Sequence, residues 1–143
     1  MVSKEKANKL SNQQIEEIKN PDFQKLTLPA LRTFFRIAEK WKLTNEEQMA
    51  LLGLSASSTF FKWKNLENPK LDKDKFDRLS YVFRIYKSLQ ILFSNPKNAD
   101  NWLKNPNDHP MFTGKPPLER IVKGGIIELY KVANHLDALR GIW

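Results

Sequence analysis

Between Glu46 and Lys64 the chain reads EEQMALLGLSASSTFFKWK. The end of this stretch places Phe60 and Trp63 on one side of a short helix and leaves Ser57, Ser58, Lys62, Lys64 and Asn65 facing outward. Serine, asparagine and lysine all donate hydrogen bonds to phosphate oxygens or base edges, and this helix carries no acid to repel a phosphodiester. The chemistry these residue types support is nucleic-acid binding, with the two lysines supplying charge and the others supplying donors. The same spacing also fits an ordinary corner between two helices. Phe61 lies one residue off the apolar face and has two readings as well. It touches a thymine methyl or a dimer partner, or it covers the edge of the core.

Catalytic chemistry has little to work with. His109 and His135 are the only histidines, 26 positions apart, and neither stands in a metal-ligand spacing. Cysteine is absent, which removes thiol nucleophiles, thiolate zinc sites and disulfides together. No nucleophile elbow, P-loop or dinucleotide fingerprint occurs, and five glycines leave little for a phosphate cradle. Asp72, Asp74 and Asp77 crowd a helix start, where the dipole favours carboxylates without any metal. The expectation is a non-enzymatic protein with no catalytic residue, metal or cofactor.

The elements that must position the outward face follow from periodicity. The 143 residues fit one compact domain or two small ones sharing a core. Leucine (18) outweighs isoleucine (9) and valine (4), a balance that favours helix over strand and predicts an all-α fold. Residues 1–26 are polar and lysine-rich and read as a mobile arm. From Pro29, the apolar positions Leu31, Phe34, Phe35, Ala38 and Trp41 recur at helical spacing. Thr44 with Glu47 forms a capping box for a short helix over 45–52, and Gly53 supplies its left-handed stop. Hydroxyls at 55–58 offer caps for the next helix, which runs to about Asn65.

Beyond the break at Asn68-Pro69, Asp72 caps a longer helix with Phe76, Leu79, Phe83, Tyr86, Leu89 and Phe93 as its stripe. A brief helix starts at Asn95-Pro96, and another opens at Pro117 and stops at Gly124-Gly125. The last carries Ile126, Leu129, Tyr130, Ala133, Leu136 and Leu139 on its apolar face and ends at Gly141. This divides the chain into an arm (1–26), a helix-turn-helix region (27–70), a connecting helix (71–93) and a C-terminal helical domain (94–143). The net charge of +8 suits a polyanion partner, although the excess is spread along the chain. No secretory leader or membrane-spanning run is visible, so the cytoplasm is the expected compartment.

About residues 27–143 resemble the Xre/MbcA/ParS class of antitoxins. The first half carries the likeness in Leu51-Leu52-Gly53-Leu54-Ser55, Thr59 and Trp63. The second half carries it in Asp77-Arg78-Leu79, Trp102-Leu103, Phe112-x-Gly114, Pro117-Leu118, the Gly124-Gly125 stop, and Leu136-Asp137-Ala138 leading to Gly141 and Trp143. The resemblance implies a non-catalytic antitoxin that neutralises a cognate RES-domain toxin, an NAD-consuming enzyme, by covering its active site. It also implies an Xre-like helix-turn-helix that binds operator DNA as a homodimer or higher oligomer and represses its own operon. The toxin contact then falls within residues 94–143, with Phe112, Leu118, Arg140, Ile142 and Trp143 as its candidates. Trp143, beyond the last helix stop, either folds back on its own helix or projects into the partner. Two rival readings stay open at this stage. One is a free-standing helix-turn-helix regulator whose second half senses a ligand or oligomerises, and the other is a small helical enzyme.

Overall fold

A computed structural model describes residues 23–141. Six helices make up the fold: α1 (Phe23–Lys40), α2 (Asn45–Leu52), α3 (Ser57–Lys64), α4 (Lys73–Leu92), α5 (Pro96–Asn101) and α6 (Pro117–Leu139). No strand occurs among the described residues, so the fold is all-α. The arm expected over 1–26 falls partly on residues outside this description and partly on the first turn of α1. That helix begins at Phe23 and keeps Pro29 inside it, contrary to the start expected at Pro29. In the turn before the proline, Thr27 is buried on the same face as Leu31.

Helix α4 is the axis of the molecule. Its expected single stripe is only partly observed: Leu79 and Leu89 are fully buried, but so are Val82, Ile85 and Ser88, while Phe76, Phe83, Tyr86 and Phe93 are half-buried. The reason is that α4 is packed on more than one side, with α1, α2, α5 and α6 all against it. Phe76 and Phe83 look towards α1, and α6 runs along another face. One hydrophobic core therefore runs from Leu31 and Trp41 through Leu51 and Phe60 to Leu129 and Leu136, joining the two halves of the chain.

A polar clasp fixes α6 on α4. Arg84 donates through Nε to Asp137 Oδ2 at 3.0 Å and through Nη2 to Asn134 Oδ1 at 2.8 Å. The other carboxylate oxygen of Asp137 accepts from Ser88 Oγ at 3.1 Å, and Arg140 donates to that hydroxyl at 3.2 Å. Ser88 is fully buried, so its hydroxyl needs these partners.

Helix α6 is broken at Gly125, whose φ of 70° and ψ of −152° are not helical. The stop expected at Gly124-Gly125 is present, with the second segment resuming at once. Gly124 serves a different need: a Cβ there would stand 2.0 Å from Cγ of Glu128, which folds back over it. Arg120 ties the break, donating to the Glu128 carboxylate and to the carbonyl of Met111. That hydrogen bond from Arg120, opposed by partial burial, holds the Glu128 carboxyl below its usual range.

Candidate functional site

The α2–α3 unit is built by short-range chemistry at each end. The Thr44 amide donates to Glu47 Oε1 at 2.8 Å and the Glu47 amide donates to Thr44 Oγ1 at 3.1 Å, which completes the capping box. Gly53 ends α2 at φ 69°, ψ 33°, and its amide closes on Ala50 O at 3.2 Å while the Leu54 amide reaches Met49 O at 2.9 Å. Two cations from α4 finish this end. Lys75 donates to Gly53 O at 2.8 Å, and Arg78 donates to Ala50 O at 3.4 Å and to Asp74 Oδ2 at 3.0 Å. Burial opposes ionisation of Asp74, but Arg78 and Lys75 outweigh it and hold the carboxyl below its usual range. A Cβ on residue 53 would meet Arg78 Cζ at 2.6 Å and displace the ends of Arg78 and Lys75, while the left-handed turn itself favours glycine.

Helix α3 starts without a side-chain cap. Ala56 holds the cap position, and the hydroxyls at 55–58 are not used there, contrary to expectation. Phe60 is fully buried and Trp63 nearly so, with Phe60 edge-on to Phe35 of α1 at 6.1 Å. Ser57, Ser58, Lys62, Lys64 and Asn65 are all exposed, and Phe61 joins them at 47% exposure, its ring edge-on to Phe60. The outward residues are therefore not one uniform patch. Lys64 turns back, its ammonium 5.8 Å from the centre of the Phe60 ring, and lines the cleft between α3 and α1.

In the second half the candidates separate. Phe112 and Leu118 are core residues, 2% and 4% exposed. Phe112 packs edge-on against Trp102 at 5.6 Å and beside His135 at 5.9 Å, and the Leu118 amide donates to Leu103 O at 2.9 Å. Both are spent inside the chain's own fold and leave little surface for a partner. Arg140 belongs to the clasp with Ser88 and Asp137, and Ile142 and Trp143 lie outside the described residues. The apolar face expected for the last helix is corrected in part: Leu129, Ala133 and Leu136 are buried, joined by Val132, but Tyr130 and Leu139 are exposed. Tyr130 lies at the edge of the stripe set by Leu129, Val132, Ala133 and Leu136, one turn from exposed Ile127 and edge-on to Tyr81 at 5.4 Å.

The two histidines, distant in sequence, meet with ring centres 4.5 Å apart. His109 Nδ1 accepts from the Met111 amide at 3.1 Å, so its remaining proton sits on Nε2 in the neutral form. Burial, and then the neighbouring His109, push the His135 imidazole below its ordinary value. Among the described residues no group of three or more His, Asp or Glu is placed to hold a metal ion. Nor is any described helix long and apolar enough to cross a membrane.

Sequence reasoning missed two features of this surface. Arg32 and Arg36 stand one turn apart on the face of α1 away from Leu31 and Phe34, a spacing that was legible. The exposure of Tyr130 beside Ile127 was not legible, because the stripe of the last helix alone does not say which of its edges α4 covers.

Comparison with known proteins matches the chain in two blocks. Residues 29–84 match the Antitoxin Xre-like helix-turn-helix domain, and residues 88–141 match the Antitoxin Xre/MbcA/ParS C-terminal toxin-binding domain. Uncharacterized protein y4oB of Sinorhizobium fredii is 41% identical over 123 residues, which covers 85% of this chain and 93% of that protein. No solved structure matches the chain. With a helix-turn-helix set by α2, Gly53 and α3, and a second helical half clasped onto α4, the chain belongs to the Xre/MbcA/ParS family of antitoxins.

Proposed function

We propose that this antitoxin neutralises a RES-domain toxin, an NAD-consuming enzyme, by covering its active site, and that it binds operator DNA as a homodimer or higher oligomer to repress its own operon. The observation that carries the reading is the pairing, in one chain, of a toxin-binding domain over 88–141 with an Xre-like helix-turn-helix whose second helix, α3, carries no acid. Ser57, Ser58, Lys62 and Asn65 meet the DNA groove and its phosphates, with Lys64 at the edge. The toxin meets the C-terminal half through Ile127 and Tyr130 on the open face of α6 and through Arg140, Ile142 and Trp143 at its end. Phe112 and Leu118 support that surface from within. The antitoxin itself performs no catalysis, and its work is occlusion in the cytoplasm.

The test is coexpression with a RES-domain enzyme encoded beside this chain. The enzyme is expected to arrest growth and deplete NAD when expressed alone and to be tolerated with this chain present. It should also copurify with the chain. Arrest that persists at equal expression, with no complex recovered, refutes the RES partnership. The Lys62→Ala/Lys64→Ala variant should lose DNA affinity while still neutralising the toxin, because the two surfaces lie on different halves.

A further inference from the structure

A cleft of about 720 Å³ lies between α1, the turn that follows it and the end of α3. Its rim carries four cations, Arg32 and Arg36 from α1, Lys42 just beyond it and Lys64 from α3, with Glu39 as the one acid of the lining. Several cations elsewhere are neutralised by the chain itself, as in Lys73 with Asp77, Arg78 with Asp74, Arg84 with Asp137, Arg120 with Glu128 and Lys123 with Glu119. None of the four rim cations has a carboxylate partner among the described residues, and Arg32, Arg36, Lys42 and Lys64 are all exposed. Like charges held together without counterions favour binding of an anion from outside. Two guanidinium groups one turn apart suit phosphate oxygens, which they engage through paired N–H donors.

We infer that this cleft is a second phosphate-binding surface, which takes the sugar–phosphate backbone flanking the groove that α3 enters. Lys64, drawn back towards α1, is the joint between the two surfaces, so the backbone passes from Lys62 by way of Lys64 to Arg36 and Arg32. The inference rests on the DNA-binding reading above and adds α1 to the footprint, so Arg32 and Arg36 contribute affinity without sequence preference. Glu39, facing the same anion, weakens binding.

The experiment measures the affinity of the full chain for duplex DNA from upstream of its own reading frame, and for an unrelated duplex, between 50 and 200 mM salt. In Arg32→Ala/Arg36→Ala, affinity for both duplexes should fall by the same factor, roughly tenfold per arginine near 0.1 M salt, and the salt slope should drop by up to ~0.9 per arginine. Arg32→Lys/Arg36→Lys should keep most of the slope, and Glu39→Gln should tighten binding. A thermal melt of each variant checks folding, which these exposed positions should leave intact. If the arginine variant is folded and its slope is unchanged while Lys62→Ala does lower the slope, the cleft is not a DNA surface. If unaltered chain binds neither duplex, the DNA reading fails and the cleft inference falls with it. Saturable binding of inorganic phosphate or AMP that Arg32→Ala abolishes, with duplex affinity unaltered, assigns the cleft to a free organic phosphate and overturns the inference.

Discussion

Replacing Gly53 by alanine tests how the recognition unit is held. The residue sits at φ 69°, where an L side chain adds about 1 kcal/mol of strain. The new Cβ would also stand 2.6 Å from Arg78 Cζ and 2.9 Å from Lys75 Nζ. The side chains of Arg78 and Lys75 are only 15% and 18% exposed, so neither can swing away without losing its bond to Ala50 O or Gly53 O. Losing both adds roughly 1 kcal/mol each, for a total near ~3 kcal/mol, or about 10 °C in melting temperature for a chain of this size. The assay is a double-mutant cycle by urea and thermal unfolding, combining Gly53→Ala with Arg78→Met. With the guanidinium removed, the penalty of Gly53→Ala should shrink by roughly 1 kcal/mol, leaving the strain and the lost Lys75 bond. Equal penalties in both backgrounds, or a parent-like melt for Gly53→Ala, refute the claim that Gly53 makes room for Arg78.

Trp63→Ala should lower stability by ~3–5 kcal/mol through a core cavity, and a parent-like unfolding midpoint would show that the buried face of α3 is misassigned. Asp137→Asn should cost about 2 kcal/mol by unpairing Arg84, measured by urea unfolding, and an unchanged midpoint would mean that the clasp contributes nothing. For His135 the sign follows from its lowered folded-state value: the unfolded chain takes up the proton first, so stability is full above about pH 6.5 and declines as pH falls through that point. His135→Gln should flatten the urea midpoint between pH 7.5 and 5.5, and a wild-type midpoint that is itself flat there contradicts the histidine reading.

Local chemistry was the legible part of this fold. The Thr44–Glu47 box, the Asp72 cap and the Gly53 stop are each written within four residues, and all three are present in the structure. Phe60 and Trp63 could be assigned to the core because a short amphipathic helix offers one apolar side. What depended on neighbours was hidden. The buried set of α4 could not be read from one stripe, because α1 and α6 claim different sides of it. Phe112 looked available as an aromatic beside a turn, yet Trp102 and His135 enclose it from segments far along the chain. The even spread of formal charge in the sequence concealed an uneven surface, since the fold decides which cations receive carboxylates.

The glycine pair in the middle of α6 carries two separate mutational constraints. At 125 the constraint is torsional, a backbone state that no compensating change in a neighbouring side chain can restore. At 124 it is volumetric, set by the Glu128 side chain lying across the position. The two sites therefore differ in their suppressors. A side chain introduced at 124 is relieved only in part by shortening residue 128, whose Cβ alone would still stand 2.8 Å away, while one introduced at 125 is relieved by no side-chain change. Selection for restored function after random mutagenesis would find partial suppressors at 128 for lesions at 124 and none for lesions at 125.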